Sequence, residues 1–209
     1  MRLCKDNLVM IRCRRLHDDD KSQSDRICRK ESRPGGAEIR MIDEVTEADA
    51  EAIAALYNPY VLNSRVTFEI DPVSTAGMAQ RILSITPSYP WIAWREGGRL
   101  LGYAYLARFR SRAAYDHVAE SSVYLLPDAT GRGIGTALYR KLIELAPGYG
   151  ISRMIGVIAL PNEESERFHV TLGFRRAGVL EGVGCKFGEL IDTAYWQLCL
   201  DTPGGRCDG

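Results

Sequence analysis

The sequence predicts an α/β domain in which a mixed sheet carries helices on its faces. Three observations predict this class. Hydrophobic patterns of period two and of period 3.6 alternate along the chain, as strands and helices require. From residue 37 onward their order is β-α-α-β-β-β-loop-α-β-α-β-β. Some strand patterns are separated by helices and others follow each other directly, which favours a mixed sheet over a doubly wound one.

The 209 residues divide into one domain and two tails. Residues 1–36 have an apolar stretch only over residues 8–11, which is too short for a secretory signal, and they end in the breaker Pro34-Gly35-Gly36. We therefore expect a disordered N-terminal extension over 1–36, one folded domain over 37–202, and a C-terminal tail over 203–209.

The first half of the domain opens with a strand over residues 37–45, where AEIRMIDEV has strand character. Thr46 then caps a helix over residues 47–61, because its apolar side chains recur at helical spacing. A second short helix is predicted over residues 74–85. Residues 91–109 alternate as two strands around Gly97-Gly98, which predicts a hairpin.

The second half begins with a strand in AESSVYLL, residues 119–126, which Pro127 stops. Leucines at helical spacing predict a helix over residues 137–146, and the apolar run over 151–160 predicts a buried strand. Pro161-Asn162 begins a helix that ends at Gly173. The last two strands are predicted over residues 174–184 and 191–200.

Composition excludes several classes of protein. Lys plus Arg and Asp plus Glu both number 27, so nothing in the net charge favours nucleic acid or an acidic membrane. The longest apolar runs are far shorter than a membrane helix needs. The six cysteines form no C-x-x-C pair, so we expect reduced thiols and no metal site. These features favour a cytoplasmic protein that binds neither nucleic acid nor membrane.

A glycine-rich loop connects the strand at 119–126 to the helix that follows it. No Lys-Ser or Lys-Thr pair closes this loop, so it is not a P-loop. A dinucleotide fingerprint fails because Thr136 takes the place of its third glycine and Arg153 the place of a ribose-binding acid. A strand, a glycine loop and a helix in this order direct the free N–H groups of residues 131–136 at an anion, which predicts a pyrophosphate site. A plain tight turn is the alternative.

At this loop the sequence resembles the GNAT superfamily of acetyl-CoA-dependent N-acetyltransferases. The superfamily pattern [QR]-x-x-G-x-[GA] reads TGRGIG over residues 130–135, with Thr130 in place of Gln or Arg. A second signature fits Asn162 and the helix ending in FHVTLGF. The stretches YPWIAW, AYDHVAESSVYL, LPNEESERFHVTLGF and AYWQL are similar to the phosphinothricin acetyltransferase subgroup, and the likeness runs from about residue 38 to 200.

The resemblance implies that 37–202 is an N-acetyltransferase domain with a mostly antiparallel central sheet, acetyl-CoA as cosubstrate and a homodimeric assembly. It implies that backbone N–H groups of Val123 and Leu125 contact the acetyl carbonyl and pantetheine. Asn162 is a further candidate contact, although capping of its helix explains an Asn there equally well. The candidate cosubstrate-binding residues are Val123, Tyr124, Leu125, Gly131, Arg132, Gly133, Ile134, Gly135, Thr136 and Asn162.

Two residues are candidates for proton transfer. Glu120 lies in the strand before the glycine loop, and the resemblance supports it as the general base that deprotonates the substrate ammonium. His169 takes the place of the Tyr that many GNAT enzymes use as general acid, so it either protonates the departing thiolate or orients the substrate. The alternatives are an exposed strand carboxylate and a structural histidine.

The substrate is predicted from RFRSRAAYDH, residues 108–117. If this stretch is extended, Arg108, Arg110 and Arg112 share one side, because side chains alternate along a strand. Such a basic face repels a plain amine but suits an amino acid with an acidic side group, such as phosphinothricin or methionine sulfone or sulfoximine. A solvated surface loop is the alternative. The resemblance implies that Phe68, Tyr115 and Tyr124 line the pocket, although aromatic residues in strands are more often part of the core. The candidate substrate-binding residues are Phe68, Arg110, Arg112 and Tyr115.

Two function classes follow from these residues. The first is an enzyme that transfers acetyl directly from acetyl-CoA to the amine of a small anionic, amino-acid-like substrate. The second is a catalytically silent CoA-binding module that acts as a sensor or partner domain. The presence of both Glu120 and His169 favours the enzyme. An NAD-dependent oxidoreductase is disfavoured by the missing ribose-binding acid.

Overall fold

The computed structural model describes residues 40–200 and the two-residue strand Met10–Ile11. These residues form one eight-stranded sheet and four α-helices, in the predicted order from residue 40 onward. The predicted tails at 1–36 and 203–209 lie outside the described residues, apart from Met10–Ile11. The strands are β1 Met10–Ile11, β2 Arg40–Glu44, β3 Trp91–Glu96, β4 Arg99–Arg108, β5 Val118–Leu125, β6 Arg153–Ala159, β7 Arg175–Lys186 and β8 Glu189–Cys199, and the helices are α1 Ala50–Asn63, α2 Thr75–Ile85, α3 Ile134–Leu145 and α4 Glu163–Thr171.

The sheet has the strand order β1-β2-β3-β4-β5-β6-β8-β7. Its pairs are antiparallel except for β1 with β2 and β5 with β6, so the predicted mixed, mostly antiparallel sheet is confirmed. The parallel pairing of β5 with β6 ends at Ser121 and Gly156. Beyond that pair β5 continues to Leu125 along β4, and β6 continues to Ala159 along β8. The two central strands therefore separate, and a gap opens in the middle of the sheet.

Two layers of helices cover the sheet. Helix α3 packs on one face, where Leu138 and Leu142 meet buried strand residues such as Ala119. Helices α1 and α2 pack on the other face, where Ile53 and Ile82 lie in a second apolar cluster. Side chains alternate between the faces along each strand, so neighbouring residues of β5 point into different layers.

Side chains at the predicted helix starts explain where the helices begin. The Ser74 hydroxyl accepts the Gly77 N–H at 3.1 Å and so caps α2, which begins at Thr75, one residue later than predicted. Thr46 begins a 3₁₀ turn over Glu47–Asp49 that leads into α1, and its N–H donates to the Asp49 carboxylate at 2.9 Å. The helix predicted from Thr46 is therefore present, but its first turn is tighter than an α-helix.

We expect deletion of residues 1–36 to leave turnover within about twofold of the full chain, because that segment lacks the apolar periodicity needed to join a core. Only the backbone pairing of β1 at the outer edge of β2 is removed among the described residues. Soluble yield, melting temperature and kcat of both chains test this. Loss of soluble protein on truncation would contradict it.

Candidate active site at the gap in the sheet

The gap between β5 and β6 holds a cavity of about 300 Å³. Its walls come from the diverging ends of the two strands and from the first turns of α3 and α4, while α1 contributes Tyr60. Strands alone do not enclose such a space, because sheet neighbours normally lie under 5 Å apart. No helix within residues 40–200 is long and apolar enough to cross a membrane. The lining residues are Tyr60, Val66, Ser121, Ser122, Val123, Tyr124, Leu125, Thr130, Gly135, Tyr139, Val157, Ile158, Ala159, Asn162, Glu164, Ser165, Phe168 and His169.

Backbone groups of β5 face this cavity. The Leu126 N–H donates to the Leu101 carbonyl at 2.8 Å, toward β4. Because N–H groups alternate between the two edges of a strand, those of Val123 and Leu125 point to the opposite edge, into the gap. The Leu125 carbonyl on the same edge accepts the Tyr60 hydroxyl at 2.6 Å. Both predicted backbone donors therefore lie at the cavity wall.

The glycine loop ends in an uncapped helix start. Gly131 and Gly133 have φ values of 70° and 79°, in the left-handed region that favours glycine. Gly133 is the N-cap residue of α3, no side chain of the described residues caps it, and the first helical bond joins the Ala137 N–H to the Gly133 carbonyl at 3.0 Å. Helix α3 thus begins at Ile134, three residues earlier than predicted. The N–H groups of residues 134–136 face outward from its positive end.

Gly135 and Arg132 fix the position of the glycine loop. Gly135 is buried at the cavity, and a Cβ there would lie 3.4 Å from the Leu125 side chain and 3.7 Å from the Phe168 ring. Arg132 donates at 2.6 Å to Glu96, a buried carboxylate at the end of β3. This ion pair ties the loop to the sheet, so Arg132 has a structural partner besides its candidate role.

Asn162 caps α4. Its side-chain oxygen accepts the Ser165 N–H at 3.1 Å, so the capping interpretation that the sequence left open is observed. The residue also lines the cavity. Its amide nitrogen is the group that remains for contact with a ligand.

Glu120 is half-buried in the middle of β5, between Ala107 of β4 and Ile155 of β6. Its neighbour Ser121 points toward α3, so the Glu120 carboxylate points toward the α1 and α2 layer. Burial raises the pKa of Glu120 above its usual value, and the positive charge of Arg110 opposes that rise. The carboxyl group is therefore a better base than an exposed one.

His169 lies in the opposite layer and is buried. Its Nδ1 lies 2.8 Å from the Ser165 carbonyl and its Nε2 lies 3.1 Å from the Tyr139 hydroxyl. Burial lowers the pKa of His169, and the hydrogen bond to the Ser165 carbonyl opposes this. The ring lies so close to Gly156 that a Cβ there would overlap it. The two predicted catalytic residues thus lie on opposite faces of the sheet, beside the point where β5 and β6 separate.

The predicted basic face is wrong. Strand β4 ends at Arg108, and the chain then turns into a 3₁₀ helix over Ala113–Tyr115, so the three arginines do not lie along one strand. Arg108 pairs with Asp116 at 2.9 Å, which bends the segment back. Arg112 is exposed just before the 3₁₀ helix. Arg110 is the one of the three whose charge lowers the pKa of Glu120.

The predicted aromatic contacts fall in different places. Tyr124 lines the cavity and packs edge-on against Tyr57 and Tyr60, with ring centres 4.9 and 5.3 Å apart. Phe68 packs against Gly184 of β7, and Tyr115 lies 6.0 Å from the Phe109 ring. Among the described residues, those that line the cavity include neither Phe68 nor Tyr115, and neither Glu120 nor Arg110.

Sequence reasoning missed the polar side chains of the α3 and α4 layer. Ser121 and Tyr139 line the cavity beside His169, and their oxygens are 2.7 Å apart. A signal was present for Tyr139, which lies one helical turn after Gly135 and so faces the same side of α3. Ser121 carried no signal of its own.

A family model described as an acetyltransferase (GNAT) domain matches residues 42–195. This range contains the gap, the glycine loop and both predicted catalytic residues. The chain therefore belongs to the GNAT acetyltransferases, and the predicted enzyme class, an acyltransferase, is confirmed.

Similar proteins indicate the subgroup within this family. A phosphinothricin N-acetyltransferase from Streptomyces coelicolor is 35% identical over 80% of this chain and 99% of its own length. An L-methionine sulfoximine/L-methionine sulfone acetyltransferase from Pseudomonas aeruginosa is 35% identical over 74% of this chain and 91% of its own. The structure of a phosphinothricin acetyltransferase from Sinorhizobium meliloti in complex with acetyl-CoA is 36% identical, covers 81% of this chain and 96% of its own, and has a TM-score of 0.74. The predicted resemblance to the phosphinothricin acetyltransferase subgroup is confirmed.

Proposed function

We propose that this enzyme transfers acetyl from acetyl-CoA to the amino group of a small anionic amino acid, of the phosphinothricin or methionine sulfone and sulfoximine type. The observation that carries the proposal is the half-buried Glu120 carboxylate, which lies on the strand that edges the gap and within the field of Arg110. A base and a cation that act on each other electrostatically suit a substrate with both an ammonium and an acidic group.

Acetyl-CoA fits the wall of the cavity. The N–H groups of Val123 and Leu125 are oriented to hold the acetyl carbonyl and the pantetheine amides, as a missing strand would be held. The loop residues Gly131 and Gly133 and the uncapped start of α3 at residues 134–136 suit the pyrophosphate, because free N–H groups and the helix dipole attract anions. Arg132 and Asn162 lie beside these groups as side-chain contacts. The S. meliloti complex with acetyl-CoA supports this assignment by analogy.

Glu120 acts as the general base. Burial raises the pKa of Glu120 toward the pKa of the ammonium that it deprotonates, which strengthens proton transfer at neutral pH. His169 acts in the second half of the reaction, when the thiolate leaves and needs a proton. Direct transfer between the two bound substrates then requires no covalent enzyme intermediate.

A substrate panel tests this function. Acetyl-CoA-dependent release of thiol is measured with phosphinothricin, methionine sulfone, methionine sulfoximine, unmodified methionine, an aminoglycoside and a polyamine. We expect kcat/KM for the three anionic or sulfonyl-type amino acids to exceed that for the aminoglycoside and polyamine by a factor on the order of 10³, about 4 kcal/mol of discrimination. Tight CoA binding without thiol release from any amine would instead indicate a silent binding module.

Arg110→Ala should raise KM for phosphinothricin roughly tenfold or more, because a charge-assisted contact to the substrate's acidic group is lost. The KM for acetyl-CoA should change little. Arg99→Ala is the matched control, since Arg99 is an exposed arginine at the start of β4 that pairs with Asp128 at 2.9 Å, away from Glu120. Equal effects of both variants on the phosphinothricin KM would argue against the role of Arg110.

We also propose that the enzyme is a cytoplasmic homodimer. The edge strand β7 and its neighbour β8 expose apolar side chains, among them Leu180, Val183 and Leu190. An exposed apolar edge strand is the kind of surface that a second subunit covers. Sedimentation velocity of the full chain tests the subunit number.

A further inference from the structure

Three buried polar side chains form a continuous hydrogen-bonded chain from the gap into the α3 and α4 layer. The Ser121 hydroxyl on β5 lies 2.7 Å from the Tyr139 hydroxyl on α3, which lies 3.1 Å from Nε2 of His169 on α4. All three residues line the cavity, yet they are 6%, 1% and 6% exposed. Ser121 belongs to the last residue pair before β5 and β6 separate, so it forms the end of the chain at the apex of the gap.

The partners fix the direction of these hydrogen bonds. A carbonyl accepts only, so Nδ1 of His169 carries the proton that the Ser165 carbonyl accepts at 2.8 Å. In neutral His169, Nε2 then has a lone pair, and the Tyr139 hydroxyl must donate to it. The Ser121 hydroxyl is left to donate to Tyr139 or to the Ile155 carbonyl, which is 3.1 Å away. The chain therefore points toward His169 as a proton acceptor.

Aromatic rings pack around His169, and the ring also lines the cavity. The Phe174 and Phe168 rings lie 5.0 and 5.6 Å from it, and Trp196 lies 6.3 Å away. Both ring nitrogens are already hydrogen-bonded, one inside α4 and one to Tyr139. Nε2 is the nitrogen of neutral His169 that can take up a proton, so its hydrogen-bonded route leads through the Tyr139 hydroxyl.

We propose that Tyr139 is the positioning residue through which His169 acts, and that Ser121 is the end of this relay that faces the reacting groups. The proposal rests on the proposed function. It assigns Tyr139, on α3, a role separate from that of His169 itself.

The relay balances the protons of the reaction. An ammonium substrate loses one proton before attack, which Glu120 takes, and a second one after its nitrogen has bonded to the acetyl carbon. When that second proton reaches the Ser121 oxygen, the Ser121 proton passes to Tyr139 and the Tyr139 proton passes to Nε2 of His169. The reverse movement returns one proton to the sulfur as the carbon–sulfur bond breaks, and His169 is neutral again. Glu120 releases the first proton to solvent, so the products are the amide, the thiol and one proton.

The charged state of the relay is as well satisfied as the neutral one. With His169 protonated, Nε2–H donates to Tyr139, Tyr139 donates to Ser121, and Ser121 donates to the Ile155 carbonyl. In either state, none of the three relay side chains has a donor or acceptor without a partner, so little reorganisation accompanies the transfer.

Two measurements test the role of Tyr139. In the wild-type enzyme, ¹⁵N NMR of the histidines should show His169 as the neutral Nδ1–H tautomer; the Nε2–H tautomer would overturn the proposal without any variant. Tyr139→Phe keeps the ring and removes one hydroxyl, so we expect kcat to fall roughly 10- to 100-fold with less than about a threefold change in either KM. Tyr57→Phe is the matched control, because it removes a buried hydroxyl 2.6 Å from Thr67 in the other layer. It should lose comparable thermal stability but keep kcat.

A double-variant cycle separates positioning from packing. If Tyr139 acts through His169, the double variant Tyr139→Phe/His169→Asn should turn over as slowly as His169→Asn alone. Effects on kcat that multiply would overturn the proposal and make Tyr139 a packing residue. If His169→Asn keeps full kcat, the relay fails while the acetyltransferase function stands. If no amine is acetylated by the wild type, the proposed function itself fails.

Discussion

Glu120→Gln is expected to lower kcat by roughly 10²- to 10⁴-fold at neutral pH while acetyl-CoA still binds. Glutamine keeps the size and most of the hydrogen bonding of Glu120 but cannot accept a proton. The residue is half-buried on β5, so the substitution also removes a charge that burial disfavours, and the folded variant should be at least as stable as the wild type. Stopped-flow or steady-state thiol release gives kcat, and calorimetric titration gives cosubstrate affinity.

The pH dependence identifies the reason for the loss. Since burial raises the pKa of Glu120, its basic form is absent at low pH, and the wild-type rate should rise as pH increases through that raised pKa and then level off. The variant has no such base and depends on free amine from solution, which increases as pH approaches the ammonium pKa. Its rate should therefore continue to rise, and the two profiles should converge at alkaline pH.

Glu181→Gln is the matched control, because Glu181 is an exposed strand carboxylate on β7. Its pH profile should coincide with that of the wild type. A folded Glu120→Gln enzyme with wild-type rates at pH 7, or with a defect that stays constant as pH rises, would remove Glu120 from the base role.

Gly133→Val is expected to raise the acetyl-CoA KM on the order of tenfold or more, because the pyrophosphate approaches backbone N–H groups that a side chain at this turn obstructs. The residue has a φ of 79°, so valine also strains the turn that begins α3. Gly135→Val should act similarly by crowding the cavity, where a Cβ would already meet the Leu125 side chain at 3.4 Å. Steady-state kinetics at saturating amine measures both.

Backbone strain and ligand crowding are separated by a control in another turn. Gly98 has a φ of 85° in the β3–β4 hairpin, and a Cβ there would meet no atom of the described residues within 4 Å. Gly98→Val therefore imposes comparable strain away from the cavity. Gly98→Val and Gly133→Val should both lose stability, by about 1–2 kcal/mol for a β-branched residue with a left-handed backbone conformation. Only the loop variants should change the KM. Unaltered cosubstrate affinity in both loop variants would mean that the loop is only a turn.

The element order could be predicted from the sequence because each strand and helix carries its own period. The hairpin turn at Gly97-Gly98 and the helix start at Thr46 are local signals, and both were found. The end of β4 could not be predicted, since it coincides with a contact between Arg108, the last residue of the strand, and Asp116, eight residues further on. An extended pattern over residues 108–112 was thus compatible with the sequence, and the structure breaks it with this charge pair and a 3₁₀ helix.

The candidate site also has some features that local sequence patterns predict and others that they do not. Glu120, the glycine loop and Asn162 were predicted because they stand in recognisable sequence patterns, and the structure brings the two ends of that loop and Asn162 to the cavity. The gap itself was not, because it depends on where the pairing of β5 and β6 stops, and those strands are about 35 residues apart in pairs such as Ser121 with Gly156. The link between Tyr139 and His169 spans 30 residues and joins two helices, so neither residue's local pattern reveals it.

Because β5 and β6 pair over only a short stretch, a molecule bound in the gap contributes to the stability of the fold. Among the described residues, four ladder pairs, from Val118 with Arg153 to Ser121 with Gly156, join β5 to β6, and the His117 carbonyl accepts the Ser152 N–H just before them. A molecule that satisfies the free edge at Val123 and Leu125 takes the place of the absent neighbour strand. Occupancy of this site and the free energy of unfolding are then thermodynamically linked, since a ligand that binds the folded state and not the unfolded state shifts the unfolding equilibrium. In a cell, the acetyl donor's concentration would set how long each molecule resists proteolysis as well as how fast it works.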